Sequence, residues 1–278
     1  MRTLEMLKEK KKQLKLTNQE IADLSGIPLG TVQKVLSGAT KSPGSRTLAA
    51  IEKVLYPADP ASPELLKEST AAYASRYEEE DEEDGRKEKG PEGELGPYTY
   101  ADYAALPDDR RVELIDGWFY DMAAPRSKHQ LIIGQLYLQF QACAEGHPDC
   151  MVWLSPLDVM LDGDDRTVVQ PDLLVICDRS KMRKGRVFGA PDLVVEVISP
   201  GSRKMDYGRK TMKYLEAGVR EYWIIDEKTG RVFVYRNEDS VELSMHTMRD
   251  EIPVGISGGK CRINMGKIQA LLDELGDI

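Results

Sequence analysis

Glu196 stands inside the apolar run Leu193-Val194-Val195-Glu196-Val197-Ile198, and Asp172 opens a second one, Leu173-Leu174-Val175-Ile176. Runs of this length and branching are expected to form central strands buried on both faces, where an ionised carboxylate costs on the order of several kcal/mol unless a partner or a metal ion meets it. Two neighbouring strands that each bring one carboxylate to a shared edge supply hard oxygen ligands, which Mg²⁺ takes from one or two carboxylates while keeping several waters. The expected chemistry is a metal site. Pro-Asp also starts turns and strands for structural reasons, and Pro191-Asp192 is a second such dipeptide, so Asp172 has a structural alternative. Glu196, in mid-run, has no comparable one.

Several spaced segments accompany these two acids in order: QPDLLVI at 170–176, GAPDLVVEVISP at 189–200, then Lys210, Tyr214, and GVREYWIID at 218–226. From Tyr98 to the C-terminus the chain resembles the PD-(D/E)XK nucleases, and within them a large bacterial restriction-endonuclease-like family. The resemblance implies a Mg²⁺- or Mn²⁺-dependent DNA endonuclease in which Asp172 and Glu196 bind the metal and carry catalysis. Two residues after Glu196, where the motif has its lysine, stands Ile198, so the resemblance moves that role to Lys210 on the following helix. The alternative for Lys210 is an i, i+4 surface pair with Asp206. Glu113 matches the acid of a YELIDG-like family motif and is implied as a third metal ligand, or else is a half-exposed strand residue. His129 corresponds to a recurrent family histidine, expected to support a ligand or touch a phosphate, or simply to pack.

The elements that must position these residues can be read from periodicity. Alternation on both sides of Asp116-Gly117 predicts a hairpin over 111–120. Ser127 is expected to cap a helix over 128–143, with Leu131, Ile132, Leu136, Leu138 and Phe140 available for the core. Strands are predicted near 151–161, 168–177 and 193–198, a helix over 205–217 and a strand over 221–225. Helix, three strands, helix, strand is the core order of the nuclease fold, a mixed sheet flanked by helices in the α+β or α/β class. Residues 231–235 and 251–263 add expected edge strands, and 267–275 a terminal helix. Five cations in eight residues at 179–186 suggest phosphate contacts by Lys181, Arg183 and Lys184 beside carboxylates that would otherwise repel a polyanion.

The N-terminal residues form a different unit. A helix over 3–14 is followed by Thr17-Asn18-Gln19-Glu20, a capping box that begins a second helix, which Gly26 ends. Pro28 to Leu36 predicts a third helix and Ser45 to Leu55 a fourth. LTNQEIADLSGIPLGTVQKVLSG followed by TLAAIEKVL resembles the Xre/Cro-type helix-turn-helix repressor domains over residues 2–56. That resemblance implies double-stranded DNA as partner and a homodimer. Pro28 to Leu36 would enter the major groove, presenting Leu29, Gly30, Gln33 and Lys34, with Asn18 on a phosphate.

Charge follows the same division. Residues 1–56 hold ten Lys/Arg against five Asp/Glu, whereas 57–97 hold five against thirteen, including seven acids in succession at 78–84. Such density of like charge predicts a solvated linker, or a segment imitating DNA. The expected organisation is a helix-turn-helix domain at 1–56, an acidic linker at 57–97 and a nuclease-like domain at 98–278. Cys143, Cys150, Cys177 and Cys261 lack CxxC spacing and read as reduced buried thiols. No apolar stretch approaches a membrane span and no signal-like core follows Lys15, so a soluble cytoplasmic protein is expected. Two functions fit: a DNA endonuclease targeted by its head, or a non-catalytic regulator or antitoxin-like protein with a degenerate nuclease-like domain.

Overall fold

The computed structural model describes residues 3–13, 16–25, 27–40, 43–55, 94–107, 109–161, 163, 165–199 and 205–276. The expected Gly26 stop, the side chain of Glu20 in the capping box, and the acidic stretch 57–93 lie outside the described residues.

The N-terminal helices are α1 (Leu4–Gln13), α2 (Asn18–Ser25), α3 (Leu29–Ser37) and α4 (Ser45–Leu55). They bury Leu7, Ile21, Ala22, Val32, Val35, Leu36, Ile51 and Leu55. Pro28 is the N-cap of α3 rather than its first residue, where its missing N–H costs no helical bond. Gly38 ends the helix at φ 85°, its amide donating to the Val35 carbonyl. That left-handed conformation favours glycine.

From Glu94 onward the described residues build two six-stranded sheets and a two-stranded one. The short helix α5 (Tyr100–Ala104) precedes the hairpin of β1 (Val112–Ile115) and β2 (Trp118–Asp121), and then α6 (Ser127–Ala144). The hairpin turns through Asp116 and Gly117, both at positive φ, as expected. Next come β3 (Met151–Leu154), β4 (Val159–Met160), β5 (Val168–Val169), β6 (Leu173–Ile176), the pair β7 (Met182–Arg183) and β8 (Arg186–Phe188), and β9 (Leu193–Val197). A π turn, Met205–Lys210, continues into α7 (Thr211–Glu216). The chain ends with β10 (Glu221–Asp226), β11 (Arg231–Asn237), β12 (Val241–Thr247), β13 (Glu251–Pro253), β14 (Arg262–Asn264) and α8 (Met265–Leu275).

One sheet runs β12-β11-β10-β9-β6-β3 and the other β2-β1-β5-β4-β8-β7. Each of the two long strands expected at 151–161 and 168–177 is therefore divided between the sheets. Pro156 lies in the first break and Pro171 in the second; a residue without an N–H cannot continue a ladder. Strand β12 has no counterpart among the expected elements, and it, not β11, forms the sheet edge; nor does 251–263 add an edge strand, since β13 and β14 pair with each other in a separate antiparallel sheet. The basic segment 179–186 is not an open loop but a 3₁₀ turn leading into the β7–β8 hairpin.

Three further expectations are corrected. Ser127 is the first residue of α6, with Arg126 as N-cap and no side-chain cap. Leu138 is 61% exposed, because at ~100° per residue it stands about 200° around the helix from buried Leu136. The four cysteines are not reduced thiols: Cys143 pairs with Cys261, and Cys150 with Cys177. The second pair sits one step beyond Met151 and Ile176, which face each other in the β3–β6 ladder. The first joins α6 to the start of β14, two elements also tied by Gln139 and Asn264. Among the described residues no helix is long and apolar enough to cross a membrane.

Candidate active site

The β6–β9 ladder pairs Leu173 with Val195 and Leu174 with Val194. Continued by one step, that register sets Asp172 opposite Glu196, with both side chains on one face. The Val197 amide donates to Asp172 Oδ2 at 2.8 Å. At the other end of the ladder Asp192 does the same for the Cys177 amide, also at 2.8 Å. The two Pro-Asp dipeptides thus cap opposite ends of one strand pair. What separates them is the neighbour: Asp172 faces Glu196, whereas Asp192 faces Ile176 and is held by Arg220 Nη1 at 3.3 Å.

Glu196 is 4% exposed in the middle of the sheet, beside Ile224 of β10. Its Oε1 accepts from Lys210 Nζ at 2.9 Å and from the Tyr214 hydroxyl at 2.7 Å. Lys210 Nζ also lies 2.9 Å from Glu113 Oε2 and 3.7 Å from Asp206 Oδ1. The alternative of a surface i, i+4 pair is excluded by geometry: Lys210 is 5% exposed, and its two shortest ion pairs reach Glu113 and Glu196. Glu113 is no half-exposed strand residue either, at 4% exposure. Its other oxygen, Oε1, accepts from the Gln170 amide at 2.8 Å, so both its oxygens are engaged and it anchors Lys210.

His129, in the first turn of α6, approaches Asp172 Oδ2 through Nε2 at 3.0 Å, while its buried Nδ1 has no partner among the described residues. Burial disfavours the imidazolium, but the Asp172 hydrogen bond and charge, joined by the Asp206 charge and the Val197 backbone, raise the His129 value above the ordinary one. Burial likewise pushes the Glu196 carboxyl well above the usual carboxylate range. Lys210 pulls it down, but Asp172, Asp206 and Glu113 push it further up. Burial also works against the Lys210 ammonium, yet Glu113, Glu196 and Asp206 together hold it well above its ordinary value. Burial, with the charges of Glu196 and Glu113, raises the Tyr214 phenol and keeps it a donor. The cluster therefore carries more carboxylates than cations.

Asp172 Oδ1 and Glu196 Oε2 accept no hydrogen bond among the described residues, leaving one oxygen on each acid for a further cation. Among those residues no group of three or more His, Cys, Asp or Glu side chains converges on a metal-sized position. Two carboxylates with waters nevertheless suffice for Mg²⁺, and these hard oxygens fit that ion.

A second polar knot adjoins the site, one that the sequence did not reveal. Gln170 Nε2 donates to Tyr103 Oη at 2.9 Å and Asp158 Oδ1 at 3.0 Å, and Arg186 Nε reaches Asp158 Oδ2 at 3.3 Å. It fixes the segment 170–172 that crosses between the sheets. Of the basic residues expected to contact phosphate, Lys181 donates to the Ala190 carbonyl, Arg183 to that of Ser180, and Lys184 occupies the β7–β8 turn at φ 52°. In the N-terminal unit Gly30, Gln33 and Lys34 are exposed on α3, and Leu29 is partly buried. Asn18 opens α2, its side-chain oxygen accepting from Lys11 Nζ.

Residues 100–257, more than half of the chain, match the family described as "Putative restriction endonuclease", and residues 7–55 match "Helix-turn-helix". An uncharacterized protein of Synechocystis sp. is 25% identical over 150 residues, covering 54% of this chain and 77% of that relative. A crystal structure described as "a putative nuclease belonging to DUF820", from Anabaena variabilis, is 22% identical with a TM-score of 0.53. It covers 63% of this chain and 99% of its own, a likeness of fold.

Proposed function

Because the chain belongs to the "Putative restriction endonuclease" family and carries a helix-turn-helix region, we propose that it is a metal-dependent endonuclease of double-stranded DNA, targeted by its N-terminal head. The observation that carries this reading is the meeting of Asp172, Glu196 and Lys210, from three separate elements, at the end of one strand pair. Asp172 Oδ1 and Glu196 Oε2 are the oxygens that would hold Mg²⁺ or Mn²⁺. When bound, the ion would lower the pKa of a water and stabilise charge on the scissile phosphate.

The chain's own groups do the remainder. Lys210 orients the attacking water or stabilises charge on the phosphate. Glu113 holds Lys210, Tyr214 holds Glu196, and His129 steadies Asp172 so that its other oxygen faces the ion. Lys181, Arg183 and Lys184 lie on or beside one hairpin and serve the DNA backbone. In the head, Gln33 and Lys34 reach base edges, Leu29 and Gly30 allow close approach, and Asn18 contacts a phosphate. A homodimer is the arrangement suited to such a head. We assign the boundaries as 1–56, 57–97 and 98–278, and a fragment covering 98–278 should retain the fold of the full chain.

Supercoiled plasmid incubated with the full chain and Mg²⁺ or Mn²⁺ should be nicked, and a Glu196→Gln variant should leave it intact. Equal cleavage by both proteins, or none by the parent with either ion, would remove the reading. A non-catalytic regulator is the second reading, favoured by Ile198 in place of the motif lysine and by the ammonium that already joins two of the acids. Duplex binding without any metal-dependent shift in melting temperature would select it.

A further inference from the structure

Lys210 reaches the site from a helix that opens with a π turn and continues as an α-helix. Asp206, Lys210 and Tyr214 recur every four residues, as do Tyr207, Thr211 and Leu215, and all six are buried. On a helix of 3.6 residues per turn, a step of four drifts by about 40° each time. Over the two steps from Asp206 to Tyr214 that drift would sum to about 80°. Here Met205–Lys210 is a π turn, in which bonds span five residues and each residue turns through less. The wide turn offsets the drift of the α turn that follows. Lys210 and Tyr214 then both meet Glu196 Oε1, at 2.9 and 2.7 Å.

A π turn is held less well by its own backbone than an α turn, and this one has outside support. The Asp206 carbonyl accepts from Thr211 Oγ1 at 2.7 Å and from the Tyr222 hydroxyl at 3.2 Å. Both donors are buried, Thr211 at 1% and Tyr222 at 0% exposure. Tyr222 stands on β10 and reaches the turn across the sheet–helix interface.

We propose that this π turn is the device by which a lysine outside the strand motif is brought to the catalytic acids, with Thr211 and Tyr222 as its positioning residues. The proposal rests on the catalytic role assigned to Lys210 above, and it predicts a specific division of labour. Without the two hydroxyl donors the turn closes toward α geometry, and a one-residue change of register swings a side chain by about 100°.

The test uses the full chain with Thr211→Val, Thr211→Ser and Tyr222→Phe, each close in shape to the parent. Two readouts are taken: kcat and KM on plasmid, and the rate at which Lys210 reacts with an amine-acetylating reagent, followed by mass spectrometry. In the parent Lys210 is expected to be protected by its ion pairs. Thr211→Val should raise its labelling about tenfold or more and lower kcat roughly a hundredfold with KM nearly constant. Thr211→Ser should restore both values, and Tyr222→Phe should fall between. If Thr211→Val does not fold, Tyr222→Phe against parent decides. Unchanged labelling of Lys210 in the folded Val and Phe variants would overturn the proposal, as would a Ser variant as impaired as the Val one. A parent that cleaves no DNA would remove the nuclease reading, and the labelling comparison would still decide whether the turn positions Lys210.

Discussion

Lys210 Nζ lies 2.9 Å from Glu113 Oε2, although Glu113 belongs to β1 of one sheet and Lys210 to the helix that follows β9 of the other. This contact closes the junction between the two sheets at the site. Replacing Lys210 by Met should therefore do two things. Turnover should fall by orders of magnitude, and stability at neutral pH should fall by roughly 3–5 kcal/mol, because buried carboxylates are left unpaired. The ammonium is held above its ordinary value, so its contribution is complete at neutral pH and is lost only as pH rises through the folded-state value. In the variant Glu196 loses the charge that pulled it down, so the deficit should shrink on acidification. Thermal melts at pH 5 and 7.5 test this; equal deficits at both would contradict it.

Glu196 is raised in the same sense, starting from a carboxylate's ordinary value. Its carboxyl is raised, so the stability it supports is present at low pH and lost as pH rises through the folded value. Metal-free Glu196→Gln should accordingly match or exceed the parent's melting temperature at neutral pH, while losing any shift produced by added Mg²⁺ or Mn²⁺. A metal-free Gln variant that unfolds would show that the ionised acid is a structural requirement.

Asp172 and Asp192 offer an internal control, since each caps one end of the same ladder. Asp192→Asn should cost stability and leave kcat within a few-fold of the parent. Asp172→Asn should weaken metal binding and abolish cleavage at similar stability. Isothermal titration with Mn²⁺ separates them, and comparable metal affinities in the two variants would end the distinction.

His246 on β12 gives a pH dependence remote from the acids. Burial lowers its value to about 4, with its Nε2 3.0 Å from Ser244 Oγ. For a histidine so depressed the unfolded chain binds the proton first, so stability is complete above about 6.5 and declines as pH falls toward about 4. His246→Gln should flatten that part of the stability profile. A slope identical to the parent's would assign the acid sensitivity elsewhere.

For the head, Gln33→Ala should relax base preference at a cost of about 1–3 kcal/mol, and Asn18→Ala should weaken binding to all duplexes alike. Fluorescence anisotropy over a salt series checks both. No duplex binding at low salt would make the head a protein-binding module.

Much of the architecture was legible locally. The left-handed Asp116-Gly117 turn, the existence of the four N-terminal helices and the apolar runs of β6, β9 and β10 each follow from a few adjacent residues. A turn needs only its own dihedral freedom, and a buried strand only its own apolar side chains. Pro156 and Pro171 are also local signals of broken strands, although mostly apolar residues on both sides of each read as one continuous run. Strand β12 was hidden by mixed composition, Val241-Glu242-Leu243-Ser244-Met245-His246-Thr247, as befits an edge that packs on one side.

The site divides along the same line. Asp172 and Glu196 could be found from sequence because an acid within or at the mouth of an apolar run is costly wherever the run folds. The meeting of Lys210 with Glu113, the Cys150–Cys177 and Cys143–Cys261 pairings, and the knot of Tyr103, Asp158 and Gln170 could not. Each joins residues far apart in the chain, and their contacts exist only once sheet register, the crossing at Pro171 and the wide turn before Thr211 have set where side chains point. Residue order alone shows which groups would be costly to bury; which partners offset that cost follows from the folded chain, because charge pairing depends on distances of a few ångströms that no spacing along the chain encodes.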